Sequence, residues 1–149
     1  MSWKILVAIL ICVLVILAAW YTLPKTFDGT YISFQYPHDW DIVNHSNSGP
    51  LGESEVVVIG SNAMPLDCVI IDVYTNRTLQ EIENIRSLLS VQLPSENIDG
   101  VECDVYSGGG FRSYVFQKNG MVFMVTFLEG RPNVKDIAED IIRSLKVKK

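Results

Sequence analysis

Residues 101–128 read VECDVYSGGGFRSYVFQKNGMVFMVTFL. Asn119-Gly120 separates two apolar runs, Phe111–Lys118 and Met121–Leu128. Both turn residues tolerate the positive φ that a two-residue hairpin demands, so the runs are predicted to pair antiparallel. Upstream, Val101, Cys103 and Val105 alternate with Glu102, Asp104 and Tyr106, the period of a strand with two unlike faces. Met121–Leu128 is apolar on both faces, which predicts a central strand covered on both sides. Gly108-Gly109-Gly110 could suggest a phosphate cradle. A strand follows it rather than a helix, so the N-terminal dipole that phosphate sites exploit is missing, and a meander turn is expected.

Moving outward, four more stretches read as strands. Tyr31–Tyr36 sets Ile32 and Phe34 against Ser33 and Gln35, and Pro37 ends it. Trp40–Val43 begins again, and Glu55–Ile59 and Cys68–Tyr74 are rich in Val and Ile. Two helices follow from cap and stripe rules. Thr78 and Glu81 form a capping box, and Leu79, Ile82, Ile85, Leu88 and Leu89 make one apolar stripe, with Pro94 just past its end. The last helix starts near Asn133, with Val134, Ile137, Ala138, Ile141, Ile142 and Leu145 on one face. Arg143, Lys146, Lys148 and Lys149 gather at its end, which suits the helix dipole. The order is strands, a helix, a three-strand meander and a final helix. Consecutive strands without intervening helices predict an α+β fold: an antiparallel sheet with helices packed on it.

Before all of this comes ILVAILICVLVILAAWYTL, residues 5–23, without a charge. At about 1.5 Å per residue it reaches roughly 28 Å as a helix, close to the ~30 Å hydrocarbon core. Lys4 and Lys25 flank it, and Trp3, Trp20 and Tyr21 stand where amphipathic rings prefer the interface. The competing reading is a cleaved signal peptide, but such apolar regions are shorter and end in small residues, whereas Leu17 precedes Ala18-Ala19. The expected organisation is therefore a transmembrane anchor over residues 1–24 and one domain over residues 25–149, placed outside the cytoplasmic membrane. Lys4 is the only charge in the anchor, so the domain carries −6 against −5 for the whole chain.

Composition removes several classes of function. With 48% hydrophobic and 19% charged residues the chain has ample material to bury, which excludes disorder. The negative charge excludes nucleic-acid binding by bulk electrostatics. Three cysteines and two histidines cannot make a disulfide-dense scaffold or a Cys/His-only zinc cluster.

No side-chain set stands out as catalytic, and no cofactor site is expected. There is no G-x-S-x-G, and no Cys has a nearby His in sequence. His38, Asp39, Asp41 and His45 could offer metal ligands, but the spacing matches no metal motif, and exposed polar residues around a Pro-x-x-Trp turn are the plainer reading. Asp67 and Asp72 bracket an apolar strand and are expected at its wet ends. Cys12 falls within the span as a small apolar filler. Cys68 and Cys103 fall in predicted strands, where they are either buried thiols or, outside the cytoplasm, a disulfide. Asn44-His45-Ser46 and Asn76-Arg77-Thr78 are glycosylation sequons if the host modifies exported proteins, which makes Asn44 and Asn76 candidate acceptors.

The segment Gly29-x-Tyr31-Ile32-x-Phe34-x-Tyr36-Pro37-x-x-Trp40 resembles the opening of PsbP-like domains. The later order agrees: a mid-chain helix, Ile98-Asp99-Gly100 leading into strands, the Asn119-Gly120 hairpin, and an ending Ile141-Ile142-x-Ser144-Leu145-Lys146-Val147. The similarity spans nearly all of residues 27–147 and is strongest toward prokaryotic members with an N-terminal anchor. It implies an α-β-α sandwich around an antiparallel sheet. Photosynthetic members dock on photosystem II and help it retain inorganic ions, and the same fold serves a GTPase-binding factor of nuclear transport. These activities are binding, not catalysis. This chain departs from the photosynthetic type in its anchor and acidic domain, and no docking residue carries over by position. The resemblance thus implies a non-catalytic, single-pass docking module with a membrane or envelope protein as partner. The alternative is a domain binding a small ligand or metal ion.

Overall fold

The computed structural model describes residues 3–148. In chain order the elements are α1 (Trp3–Thr22), β1 (Lys25–Asp28), β2 (Ile32–Tyr36), β3 (Trp40–Ser46), β4 (Glu55–Ser61), β5 (Cys68–Tyr74), α2 (Leu79–Ser87), β6 (Val91–Ile98), β7 (Val101–Gly108), β8 (Phe111–Lys118), β9 (Met121–Leu128), α3 (Pro132–Ser144) and β10 (Lys146–Val147). Helix α1 buries none of its residues against the rest of the chain, and it is long and apolar enough to cross a membrane.

Seven strands form one sheet in the order β3-β4-β5-β9-β8-β7-β6, with every pairing antiparallel. Strand β9 lies at its middle and is buried over Val122–Phe127, as an all-apolar strand must be. A second, three-stranded sheet, β1-β2-β10, packs with α3 over one face, the inner face. Helix α2 packs on the other, the outer face, through Ile82 and the half-buried Leu79 and Ile85. The fold class is therefore as the patterning predicts: α+β, with helices on both faces of an antiparallel sheet.

The meander has four strands, not three. Asp99-Gly100 turns with φ of 50° and 84°, and Asn119-Gly120 with φ of 49° and 79°. Both residues of each turn are left-handed, the geometry that matches the twist of the flanking strands. The first turn pairs Ile98 with Val101 and so creates β6, which sequence patterning does not show. Pro94 suggests only a helix stop, whereas β6 is an edge strand whose pairing slips between Leu93 and Glu96. An edge is where Pro is tolerated, because its missing N–H faces solvent.

The opening motif has a physical cause. Glu55, on β4, is buried on the inner face and accepts hydrogen bonds from the Thr30 N–H (2.7 Å) and the Tyr31 N–H (2.8 Å). His45 Nε2 lies 2.8 Å from the same carboxylate. A Cβ on Gly29 would fall 2.1 Å from Glu55 Oε1 and 2.5 Å from the Phe27 ring. Glycine is thus required by close approach of the chain to a buried carboxylate. Phe27, Phe34, Tyr36 and Trp40 then fill the space between the small sheet and the large one.

Helix α2 carries the expected capping box: Thr78 Oγ1 accepts from the Glu81 N–H at 3.2 Å, and the Thr78 N–H donates to Glu81 Oε2 at 2.7 Å. Replacing Thr78 by Ala should lower stability by about 1 kcal/mol. A thermal melt of the full-length chain in detergent checks it; an unchanged melt would show that tertiary packing alone holds the helix. The helix ends at Ser87, earlier than its stripe suggests. Leu88 and Leu89 lie beyond it, 82% and 77% exposed, and do not belong to the core.

Candidate functional site

Helix α2 is only nine residues long and covers part of the outer face. Its apolar side meets Tyr74, Tyr106, Val115, Val122 and Met124, on β5, β7, β8 and β9. Toward β3 and β4 the same face is bare. Strand alternation places Val56, Val58, Cys68 and Ile70 there, all only half-buried. Val43 joins them: the β3–β4 register shifts between Ile42 and Asn44, and a Cβ added to Gly60 on that face would fall 2.9 Å from Val43 Cγ2. It is 67% exposed. A β-bulge re-aims a side chain, and here it turns a valine onto the open face of the sheet.

Between the bare strip and α2 lies a polar seam. Asp72 is 7% exposed, and Glu53 is also buried. Arg86 reaches down from α2 and donates to Ser113 Oγ at 2.7 Å, and Ser113 Oγ lies 2.8 Å from Thr126 Oγ1. Arg86 Nε is buried with no acceptor among the described residues. Glu53 accepts from the Leu51 N–H at 2.7 Å and, at 3.4 Å, from the Tyr74 hydroxyl, so it pins the β3–β4 loop to the end of β5. Burial, together with the negative charge of Glu53, pushes the Asp72 carboxyl up to about 7, and Arg86 offsets this only in part. Glu83 of α2 is raised to about 6 by burial and by its hydrogen bond to Asp104. The seat of α2 is therefore acid-rich, with Arg86 as the cation set into it.

The remaining sequence candidates are distributed as follows. Asp67 and Asp72 are not at wet strand ends. Both are buried, Asp67 in an ion pair with Arg131 and Asp72 beneath α2. An Asp inside a Val/Ile-rich strand looks like a boundary until the far strand and helix that cover it are known. Cys68 and Cys103 are free thiols, not a disulfide. They sit on β5 and β7 with β9 and β8 between them. Three strand spacings of about 4.8 Å alone put them at least about 14 Å apart, twice what a disulfide can bridge. Burial raises the Cys103 thiol to about 12 and lifts Cys68 as well, so neither is an activated nucleophile. His45 is engaged with Glu55, and Asp41 with Lys25 at 2.6 Å. Among the described residues no group of three or more His, Cys, Asp or Glu side chains lies close enough to hold a metal. Asn44 on β3 and Asn76 before the α2 cap are both exposed. Gly109 and Gly110 form the β7–β8 turn, with φ of 63° and 83°. A cleft of about 430 Å³ opens where β2, α3 and Pro24 meet, lined in part by Tyr36, Pro37, Ile137 and Arg143. Its arginine is already held by Asp140 at 2.6 Å and Glu139 at 3.2 Å.

No family model matches the chain, and no curated protein matches it. Solved structures share its architecture, among them these two. The solution structure of cyanobacterial PsbP from Synechocystis sp. PCC 6803 superposes with a TM-score of 0.53 at 13% identity, over 86% of this chain and 94% of that one. The fold is PsbP-like. A crystal structure from Bacteroides thetaiotaomicron VPI-5482 superposes with a TM-score of 0.56 at 14% identity, over 84% of this chain and 48% of that one. The chain spans about half the length of the latter protein. At such identities the shared property is the PsbP-like fold itself, and a fold does not by itself imply a function.

Proposed function

We propose that the chain is a non-catalytic, membrane-anchored docking module, with its PsbP-like domain outside the cytoplasmic membrane and a membrane or envelope protein as partner. The observation that carries this reading is the bare strip on the outer face. Sheet faces normally bury their apolar side, and a contiguous exposed apolar patch bordered by polar groups marks an interaction surface. Exposed Val43 and the half-buried Val56, Val58 and Ile70, with no described element packed over them, form the apolar part of such a surface, flanked by the Asp72–Arg86 seam. The apolar α1 supports the anchor, and Lys4 with the amino terminus favours a cytoplasmic N-end. The open cleft at Tyr36 and Arg143 supports the second reading, a small-ligand site, because its volume falls in the usual range for ligand pockets.

The test is a crosslinking pull-down from native membranes with full-length tagged chain, run beside a Val43→Glu/Val58→Glu variant of unchanged melting temperature. One stoichiometric partner, captured by the parent and lost from the variant, is the expected result. A partner captured equally by both would remove the strip from the contact. If nothing is captured above background while the protein stays in the membrane fraction, stable docking fails and ligand screening follows.

A further inference from the structure

The domain exposes eight large apolar side chains after Pro24, and six of them gather at one end of the large sheet. The pairing register defines that end. Trp40 lies opposite Ser61, Gly60 opposite Cys68, Leu128 opposite Phe111, Phe111 opposite Gly108, and Ser107 opposite Val91. These residues form one rim running across all seven strands. On it stand Met64 and Leu66 in the β4–β5 loop, Leu88, Leu89 and Val91 between α2 and β6, and Phe111 at the start of β8, from 40% to 82% exposed. Nothing in the fold demands apolar residues at loop tips, where polar turn formers are the rule.

The chain enters the domain at the same end. Lys25 opens β1 opposite Tyr36, and its Nζ donates to the Trp40 carbonyl at 2.8 Å and to Asp41 at 2.6 Å. Only Leu23 and Pro24 separate it from α1. Three Cα steps reach at most about 11 Å, so the rim corner at Lys25 cannot leave the end of α1. Three ion pairs lie along the rim, Asp67 with Arg131, Glu129 with Arg112 at 3.1 Å, and Lys25 with Asp41, and exposed Asp39 stands near Lys25. The opposite end presents exposed Asp99 and Glu102 at the β6–β7 turn, charged groups that favour water over the headgroup boundary.

We infer that this rim rests on the bilayer, with Leu66 and Leu88 dipping into the headgroup boundary, so that the membrane fixes the orientation of the domain. The inference rests on the anchor reading above. It leaves the outer-face strip standing perpendicular to the bilayer, open to a partner in the same membrane.

The experiment uses the full-length chain in nanodiscs containing nitroxide-labelled lipids. A fluorescent amino acid is placed in turn at position 10 within α1, at positions 66 and 88 on the rim, and at exposed Gln117 toward the far end. Position 10 should be quenched strongly by acyl-chain nitroxides, and positions 66 and 88 by headgroup nitroxides at least threefold more than position 117. Quenching at position 10 with either rim site no stronger than position 117 overturns this inference and leaves the anchor intact. No quenching at position 10 overturns the anchor reading and this inference with it.

Discussion

Replacing Glu55 by Ala should unfold the domain about 15 °C earlier than the parent. The carboxylate is fully buried and accepts from two backbone N–H groups of the Thr30-Tyr31 segment. Truncation leaves both donors inside without an acceptor, and it opens a hole beneath Gly29 and Phe27. Hydrogen bonds to charged groups contribute about 1.5–3 kcal/mol each, and breaking a buried charged network costs 3–5 kcal/mol. At roughly 4 °C per kcal/mol for a domain of this size, about 4 kcal/mol gives the stated shift. Glu55→Gln keeps one acceptor oxygen and should lose less than half as much. Near-UV circular dichroism of the full-length protein in detergent reads the tertiary transition of the domain aromatics, and the signal of Trp3, Trp20 and Tyr21 in α1 is common to parent and variant. A loss under about 1 kcal/mol would mean that packing of Phe27 and Phe34, not Glu55, fixes the opening segment.

Asp72→Asn should make the protein more stable than its parent at pH 8 and leave it nearly unchanged at pH 4. The folded-state value of Asp72 is raised to about 7 from an ordinary 3.8. The folded state therefore holds its proton where the unfolded chain has released it. The stabilisation is complete below pH 4, falls as pH rises from 4 to 7, and is gone above 7. Three units at about 1.4 kcal/mol per unit give roughly 4 kcal/mol as the most the term can contribute. Asparagine has the shape of the protonated acid and no charge to bury, so the variant loses this pH dependence. Glu83 titrates in the same direction, while Asp41 and Glu81, lowered by Lys25 and Thr78, titrate in the opposite one. The difference between variant and parent cancels those contributions. Equal melting temperatures for the two proteins at pH 4 and at pH 8 would show that Asp72 reaches solvent through the edge of α2.

The two sites differ in how far the sequence reveals them. Gly29, Tyr31, Phe34, Pro37 and Trp40 are visible as a motif, and they do open the inner layer. Their anchor, Glu55, reads as the polar start of a Val-rich strand and gives no sign that its carboxylate turns inward. Its partners come from 24 and 25 residues earlier in the chain, and only the crossing of β2 over β4 brings them together. Asp72 is hidden in the same way. The charged neighbours that set its carboxyl, Glu53 raising it and Arg86 partly offsetting the rise, come from a loop and a helix that meet over β5.

Local rules determined the elements. Asn119-Gly120 and the Thr78–Glu81 box act within a few residues, through backbone φ and orphan N–H groups, so their reading survives in the fold. The same turn chemistry at Asp99-Gly100 specifies β6, although the polar, Pro-containing edge strand it creates lacks the alternation that marks the others. Composition likewise determined that α1 is long and apolar enough to span a bilayer. Tertiary structure alone decided which strands became neighbours and therefore which side chains met. The placement of β9 and β8 between β5 and β7 holds Cys68 and Cys103 apart. The shortness of α2 leaves the Val43–Ile70 strip uncovered, and the shared register sets six apolar side chains on one rim. Pairing order and coverage are long-range properties. They arise from burying the most apolar strand at the centre, and no window of sequence contains that competition.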